Sequence, residues 1–284
     1  MKKGLILEGG AMRGMFTAGV LDVMMEHDLY PDGAIGVSAG ATFGCNIKSR
    51  QIGRAIRYNV RYAKDWRYSS IRSLILTGDI YGARFCYDTI PNELDIWDAE
   101  TFSNNPMEFY VVATDCETGH PVYHKCSDGA EKDIKWMRAS ASMPMVSNIV
   151  KAGGRKLLDG GISDSIPLKY FKHKGYEKNI VVLTQPLGYE KEPFSASKSA
   201  MIKTVLKKYP ALCDALLRRY KMYNREVQYV LDEENNGNAL VIRPKEALNI
   251  PSICHDPYEK VRVYLEGRDA AYEKLDAIKE YLQD

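Results

Sequence analysis

The sequence predicts an α/β fold, and three stretches carry that prediction. Gly4-Leu5-Ile6-Leu7 is a short apolar run of buried-strand type. It passes through the glycine-rich turn Glu8-Gly9-Gly10-Ala11-Met12-Arg13-Gly14 into helically spaced apolar residues from Met15 to Met25. Ala34-Ile35-Gly36-Val37 enters a second sharp turn at Ser38, and the residues from Ala39 to Arg50 are mixed enough to open a helix. Glu108 to Asp115, reading EFYVVATD, is the clearest central strand. Two strand–turn–helix units followed by a long strand are the pattern of an α/β chain rather than of an all-helical or all-strand one.

Composition bounds the function. At 284 residues the chain can bury one large core, or one core plus an appendage. Hydrophobic content of 45% and charged content of 27% are ordinary for a soluble globular protein. Lys+Arg 39 against Asp+Glu 37 leaves a net charge of +2, which argues against nucleic acid as a principal partner, because phosphate binding needs a clustered positive excess. The first apolar run stops at Glu8, short of a signal-peptide core, and no segment approaches the roughly 18 uninterrupted apolar residues of a membrane span. The expected location is cytoplasmic. Cys45, Cys86, Cys116, Cys126, Cys213 and Cys254 contain no C-x-x-C pair and read as thiols rather than a disulfide framework. Cys116 and Cys126 facing each other across a hairpin, with His120 and His124 nearby, would suggest zinc, but no tetrahedral set has the usual spacing.

The second turn carries the chemistry. In Gly36-Val37-Ser38-Ala39-Gly40 a serine stands between small residues where strand gives way to helix, as in a nucleophile elbow. A chain turning that sharply pushes the serine hydroxyl into the open beside a helix N-terminus, whose orphan N–H groups favour a developing anion. An ordinary strand-to-helix turn is an equal reading of these five residues. Gly9 and Gly10 can turn N–H groups toward a shared point, as an oxyanion hole requires. A phosphate-cradling loop is the competing reading, although the spacing is neither the dinucleotide G-x-G-x-x-G nor a P-loop.

Together these segments resemble the patatin-like phospholipase family, whose pattern is G-G-G-x-[RK]-G, then G-x-S-x-G, then D-G-[GA]. Gly9-Gly10-Ala11-Met12-Arg13-Gly14 matches the first, Gly36 to Gly40 the second and Asp159-Gly160-Gly161 the third. The similarity covers roughly residues 4 to 185, with Ala11 standing where the pattern has its third glycine. The resemblance implies a three-layer fold with a mainly parallel central sheet flanked by helices. It also implies a Ser38–Asp159 catalytic dyad and an oxyanion hole built from the loop Gly9, Gly10, Ala11, Met12 and Arg13 together with Ala39. No metal or organic cofactor is implied.

The remaining elements follow in order. Residues 51 to 100 mix arginines with Tyr58, Tyr62, Trp66 and Tyr68, read as a pair of surface helices with aromatic sides packed inward. A nucleic-acid stacking surface or an interfacial lip are the other readings. Glu117-Thr118-Gly119-His120 turns the central strand into a hairpin-like return over Pro121 to His124, with Asp115 capping the turn. Asp133 to Ser140 reads as a short helix ended by Pro144, with Ser140 and Ser142 beside the site in the family's A-S-x-x-P stretch. Val146–Val150 and Lys156–Asp159 flank a Gly153-Gly154 turn as a hairpin. Glu177 to Thr184 supplies a last core strand.

Beyond Gly188 the composition becomes polar and basic, so residues 1–188 are taken as a catalytic core and 189–284 as a mostly helical region packed on it. That region carries a long amphipathic stretch over 198–231, a short strand at 239–243 and a closing helix from Pro257 to about Leu282. Its basic run reads as a solvated face, or as peripheral contact with an anionic membrane surface.

Five histidines, His27, His120, His124, His173 and His255, offer Ser38 an imidazole on paper. Neither His173 nor His255 follows a strand end as an α/β-hydrolase histidine does, which favours the dyad. The expected activity is hydrolysis of a lipid or other acyl ester through an acyl-enzyme. An acyltransferase shares every catalytic residue, and a lipid-binding or regulatory protein weakened at Ala11 is the reading from another class. Oligomeric state, headgroup and chain length are not written in the sequence.

Overall fold

The computed structural model describes residues 1–283. Its frame is an eight-stranded sheet. β1 (Lys2–Leu7) leads through a one-turn 3-10 helix at Ala11–Arg13 into α1 (Gly14–Glu26), and β2 (Gly33–Val37) leads into α2 (Ala39–Lys48). The apolar runs of both strands are buried along most of their length, as in strands covered on two faces.

Residues 51 to 100 differ from the expected helix pair. They form α3 (Arg54–Arg61), α4 (Ile71–Thr77), a π-helical segment at Phe85–Leu94 and α5 (Ala99–Asn104). Local punctuation cuts the run into pieces. Ser70 and Asp98 cap α4 and α5 by accepting from Ser73 N–H and Thr101 N–H, and Pro91 sits inside the π-helical segment. The inward aromatic packing holds for Tyr58, Tyr62 and Tyr68, which are buried, but not for Trp66, which is exposed.

β3 (Glu108–Asp115) is the hinge of the sheet. It pairs in parallel with β2, and antiparallel with both β4 (Pro121–Cys126) and β6 (Arg155–Asp159). Asp115 caps the β3–β4 turn as expected, accepting from the Glu117 and Thr118 amides. In this register Phe109 faces Cys126, so Cys116, beyond the strand end, does not meet Cys126 across the hairpin. α6 (Glu131–Ser140) follows, then the hairpin of β5 (Val150–Ala152) and β6. α7 (Leu168–His173) and β7 (Tyr176–Val182) complete the expected core, but β7 is not the last strand.

After α8 (Ala196–Val205) and α9 (Pro210–Asn235), β8 (Ala239–Ile242) adds to β7 in parallel. The order is β5-β6-β3-β2-β1-β7-β8, with β4 on the second side of β3, and the run from β3 to β8 is parallel. The amphipathic stretch over 198–231 is two helices because Pro210, lacking an N–H, can begin a helix but not continue one. The closing helix is likewise two, α10 (Pro257–Glu273) and α11 (Leu275–Gln283). They separate at Lys274, whose ammonium donates to the Val241 carbonyl at 2.8 Å.

Alternation along the strands divides the core into layers. Leu5, Leu7, Ala34, Val111 and Ile180 join α1, α2, α6 and α10 on one face. Ile6, Ile35, Val37, Val112 and Val181 join α7 and α9 on the other. α10 lies along α1, tied by Tyr264 Oη to Asp22 at 2.7 Å and by Arg268 to Glu26. Among the described residues no helix is long and apolar enough to cross a membrane.

Candidate active site

Strand register brings the two far-apart motifs together. Val37 pairs with Val112 and Asp159 pairs with Ala113, so the end of β2 and the end of β6 meet at neighbouring residues on one side of β3, the side opposite β4. Ser38 follows β2 directly and caps α2 with φ 55° and ψ −120°, a strained conformation for a residue with a side chain. Glycines on both sides make the turn passable. A Cβ on Gly36 would lie 2.3 Å from the Gly40 carbonyl oxygen, and one on Gly40 would lie 2.3 Å from that of Leu7. This is the geometry of a nucleophile elbow rather than of an ordinary turn.

The Ser38 side chain stands beside the Asp159 carboxylate and favours its ionised form, and the carboxylate accepts from Gly161 N–H at 2.8 Å. Burial pushes the Asp159 carboxyl above its ordinary range, against the pull of Arg219, of Ser38 and of the Gly161 amide. Segment 140–142 holds both partners from behind. Ser140 Oγ accepts from Ser38 N–H at 2.9 Å, and the Ser142 carbonyl accepts from Asp159 N–H at 2.8 Å.

The glycine-rich loop stands against the elbow, since a Cβ on Gly9 would lie 2.9 Å from Ser38 Cβ. Arg13 N–H makes the first hydrogen bond of the 3-10 turn, to Gly10, so the Ala11 and Met12 amides precede it. The Ala39 amide likewise lies in the first turn of α2, ahead of its hydrogen-bond ladder. Ala11 holds φ 48°, the left-handed conformation natural to glycine.

A cavity of about 320 Å³ opens at Ser38. Ala11, Met12 and Ala39 line it with the serine, and its walls are apolar residues such as Phe43, Ile90, Met137 and Val146. Gly9, Gly10, Arg13 and Asp159 stand outside this lining. The predicted oxyanion set is therefore split, with Arg13 standing apart, on the side of Glu8 and Tyr223.

Among the described residues no histidine lines the cavity at Ser38. His124 Nε2 meets Asp133 Oδ1 at 2.8 Å, His255 Nδ1 lies 3.0 Å from the Ala63 carbonyl, and His27 packs edge-on to Tyr272. His173 ends α7. Of the zinc suggestion only His124 and Cys126 come together, and the third donor beside them is Asp133 rather than Cys116 or His120, the three donor atoms lying within 4.8 Å of one another. Asp133, however, already accepts from the Ser127, Asp128 and Gly129 amides as well as meeting His124. Burial opposes its ionisation, but these partners outweigh burial and hold its carboxyl below the ordinary range. Such a carboxylate fastens a loop.

Three groups near the site escaped the sequence reading. Arg219 on α9 acts electrostatically on Asp159, Lys191 lies among Arg219, Arg13 and Glu8, and Glu226 on α9 shares a buried hydrogen bond with Asp164. All three depend on how the C-terminal helices dock, and no local pattern marks them.

Residues 5–172 match the family model described as patatin-like phospholipase, and residues 209–283 match one described as a domain of unknown function, DUF6363. The chain is 30% identical over 190 residues to the uncharacterized protein YjjU of Escherichia coli, covering 64% of this chain and 52% of that one. It is 29% identical over 187 residues to the lysophospholipase NTE1 of Debaryomyces hansenii, covering 63% of this chain and 11% of that one. The chain thus spans about half the length of the first relative and a small part of the second. Among solved structures, VipD from Legionella pneumophila superposes with a TM-score of 0.47 at 16% identity, over 97% of this chain and 67% of that one.

Proposed function

The chain belongs to the patatin-like phospholipase family, and on that premise we propose that it is a carboxylic ester hydrolase of lipids, of phospholipase or lysophospholipase kind, acting through Ser38 and Asp159. The observation that carries this reading is the juxtaposition of the Ser38 side chain and the Asp159 carboxylate at the mouth of an apolar cavity.

In this mechanism the acyl chain of the substrate lies in the cavity and its carbonyl stands over Ser38. Ser38 Oγ bonds to the carbonyl carbon while its proton passes to Asp159. The oxyanion is held by amides of the Gly9–Met12 loop and of Ala39, each donor typically worth about 3 kcal/mol of barrier. Collapse breaks the ester bond, and the departing alcohol takes the proton from Asp159. Water then attacks the acyl-enzyme, gives a proton to Asp159 and releases the fatty acid as Ser38 regains its hydrogen. The raised pKa of Asp159 suits a base, because a solvated aspartate near 3.9 is a weak one. An alcohol in place of water would make the same groups an acyltransferase.

The left-handed backbone of Ala11 speaks for a working loop, since the methyl group sits on the conformation a glycine would take. Peripheral contact with a lipid surface belongs to the same reading. α4 exposes Ile71, Ile75 and Leu76, and Ile80, just beyond it, lines the cavity.

The test is turnover of a lysophospholipid dispersion by purified protein and by Ser38→Ala. The reading predicts fatty-acid release that falls by at least about a thousandfold in the variant. Equal turnover by the two proteins would refute it.

A further inference from the structure

Among the described residues, Arg54 is the one charged side chain in the lining of the cavity at Ser38. Two helices show where along the cavity it stands. α2 begins directly after Ser38 and lines the cavity with Ala39, Phe43 and Cys45. α6 ends at Ser140, whose Oγ holds the Ser38 amide, and its capping residue Ala141 lines the cavity with Met137 and Ile134. Both helices therefore lead away from Ser38. From Ala39 to Cys45, and from Ala141 back to Ile134, the helical rise covers about 9–10 Å. Arg54 closes that far end. Its Nη1 donates at 3.4 Å to Oδ1 of Asn46, the residue after Cys45 on α2.

The guanidinium is buried and fixed from several directions. Nε and Nη2 donate to the Asp95 carbonyl at 3.2 and 2.8 Å. The guanidinium carbon lies 5.4 Å from the ring centres of both Tyr58 and Trp97, which also line the cavity. These neighbours are held in turn. Arg57 clamps the Asp95 carboxylate through bonds of 2.7 and 2.8 Å, and the Trp97 indole N–H donates to the Gly129 carbonyl at 2.9 Å. A guanidinium anchored in this way cannot swing aside without giving up acceptors. Leaving a buried charge short of partners costs more than burying the next one or two methylenes gains.

We propose that Arg54 is the stop of the acyl cavity, a fixed charged floor that limits the acyl chain to medium length. The inference rests on the hydrolase reading and names its substrate class. With C–C bonds of about 1.5 Å set in a zigzag, an extended chain advances about 1.25 Å per carbon, so a depth of about 10 Å takes about eight carbons. The preferred substrate is an ester of an octanoyl-like or decanoyl-like acid, and a palmitoyl chain meets the guanidinium before its carbonyl reaches Ser38.

The experiment measures kcat/KM for p-nitrophenyl esters from butanoyl to palmitoyl in one detergent, with the wild-type protein, Arg54→Met and Met137→Trp. Binding of the free fatty acids to the Ser38→Ala protein, with and without Arg54→Met, is read by calorimetry. The stop predicts that kcat/KM of the wild-type protein climbs to the octanoyl or decanoyl ester and is at least about tenfold lower for the palmitoyl ester. In Arg54→Met, whose short apolar side chain opens the floor, the palmitoyl ester draws level with the decanoyl one. Met137→Trp fills the cavity partway down and moves the limit to shorter chains, and it carries the test if Arg54→Met does not fold. Fatty-acid affinity of Ser38→Ala rises about fourfold per carbon up to the limit and no further. Palmitoyl turnover equal to decanoyl turnover in the wild-type protein overturns the stop and leaves the hydrolase standing. A folded Arg54→Met that keeps the wild-type limit overturns the assignment to Arg54. Absence of turnover with every ester, while fatty-acid affinity levels off in Ser38→Ala and keeps climbing once Arg54→Met is added, overturns the hydrolase and leaves the stop.

Discussion

The amide of Ser38 donates to the hydroxyl of Ser140 at 2.9 Å across 102 residues of chain. Ser142, two residues on, accepts from the Asp159 amide with its carbonyl, so one short segment at the end of α6 sets the backbone of both proposed catalytic residues. Ser140→Ala would leave a buried N–H without an acceptor at a strained position, at a cost of about 1–3 kcal/mol of stability. The expected result in thermal melts and steady-state kinetics is a lower midpoint and a lower kcat, with KM changed less.

Asp159 carries a cost that its function explains. Its carboxyl titrates higher in the folded protein than in the unfolded chain, chiefly through burial. The stability it contributes is therefore complete below the unfolded pKa and is lost as pH rises through the folded value. As pH rises, the native state comes to hold an ionised group whose charge burial disfavours. Asp159→Asn should raise stability at pH 7, on the order of 1 kcal/mol, while esterase activity falls by about a thousandfold or more. Denaturant unfolding beside an ester assay reads both, and loss of activity with lost stability would point to a merely structural aspartate.

Ala11 gives a cleaner backbone test. An L-residue at φ 48° is strained by about 1 kcal/mol relative to glycine, and the added flexibility of glycine in the unfolded chain offsets part of that gain. Ala11→Gly should leave stability unchanged or improve it by up to about 1 kcal/mol, with activity retained. A large loss of stability would mean that the methyl group packs where the loop needs it.

The Asp164–Glu226 pair predicts a pH dependence away from the site. Burial first, and then the Asp164 carboxylate, hold the Glu226 carboxyl well above its ordinary range. Asp164 itself is raised by burial, and it accepts from Tyr123 Oη at 2.6 Å. Both shifts are upward, so their stabilisation is complete at acid pH and lost as pH rises through the folded values. Glu226→Gln should flatten the alkaline decline of the melting temperature. An unchanged slope would show that the pair is not its source.

The fold and the elbow were legible because their signals are local. Strands β1, β2, β3 and β7 are short apolar runs between turn residues, and the Gly36–Gly40 spacing reports a close approach that only glycines allow. Hidden from the sequence were features set by docking. Arg219 sits in a basic run that reads as a solvated face until α9 is laid over the D-G-G turn. β8 extends the sheet only because β7 exposes its edge to it. The amphipathic stretch over 198–231 reads as continuous, and the Pro210 start signal that divides it into two helices was not read from it. The Cys116–Cys126 suggestion failed on a register no spacing rule could supply, and His124 instead turned to Asp133.

The most direct measurement is covalent. Wild-type protein and Ser38→Ala are incubated with a fluorophosphonate, and the labelled peptide is mapped by mass spectrometry. The account predicts one adduct, on Ser38, absent from the variant and slowed in Asp159→Asn. A label on another residue, or undiminished labelling of Ser38→Ala, would contradict it.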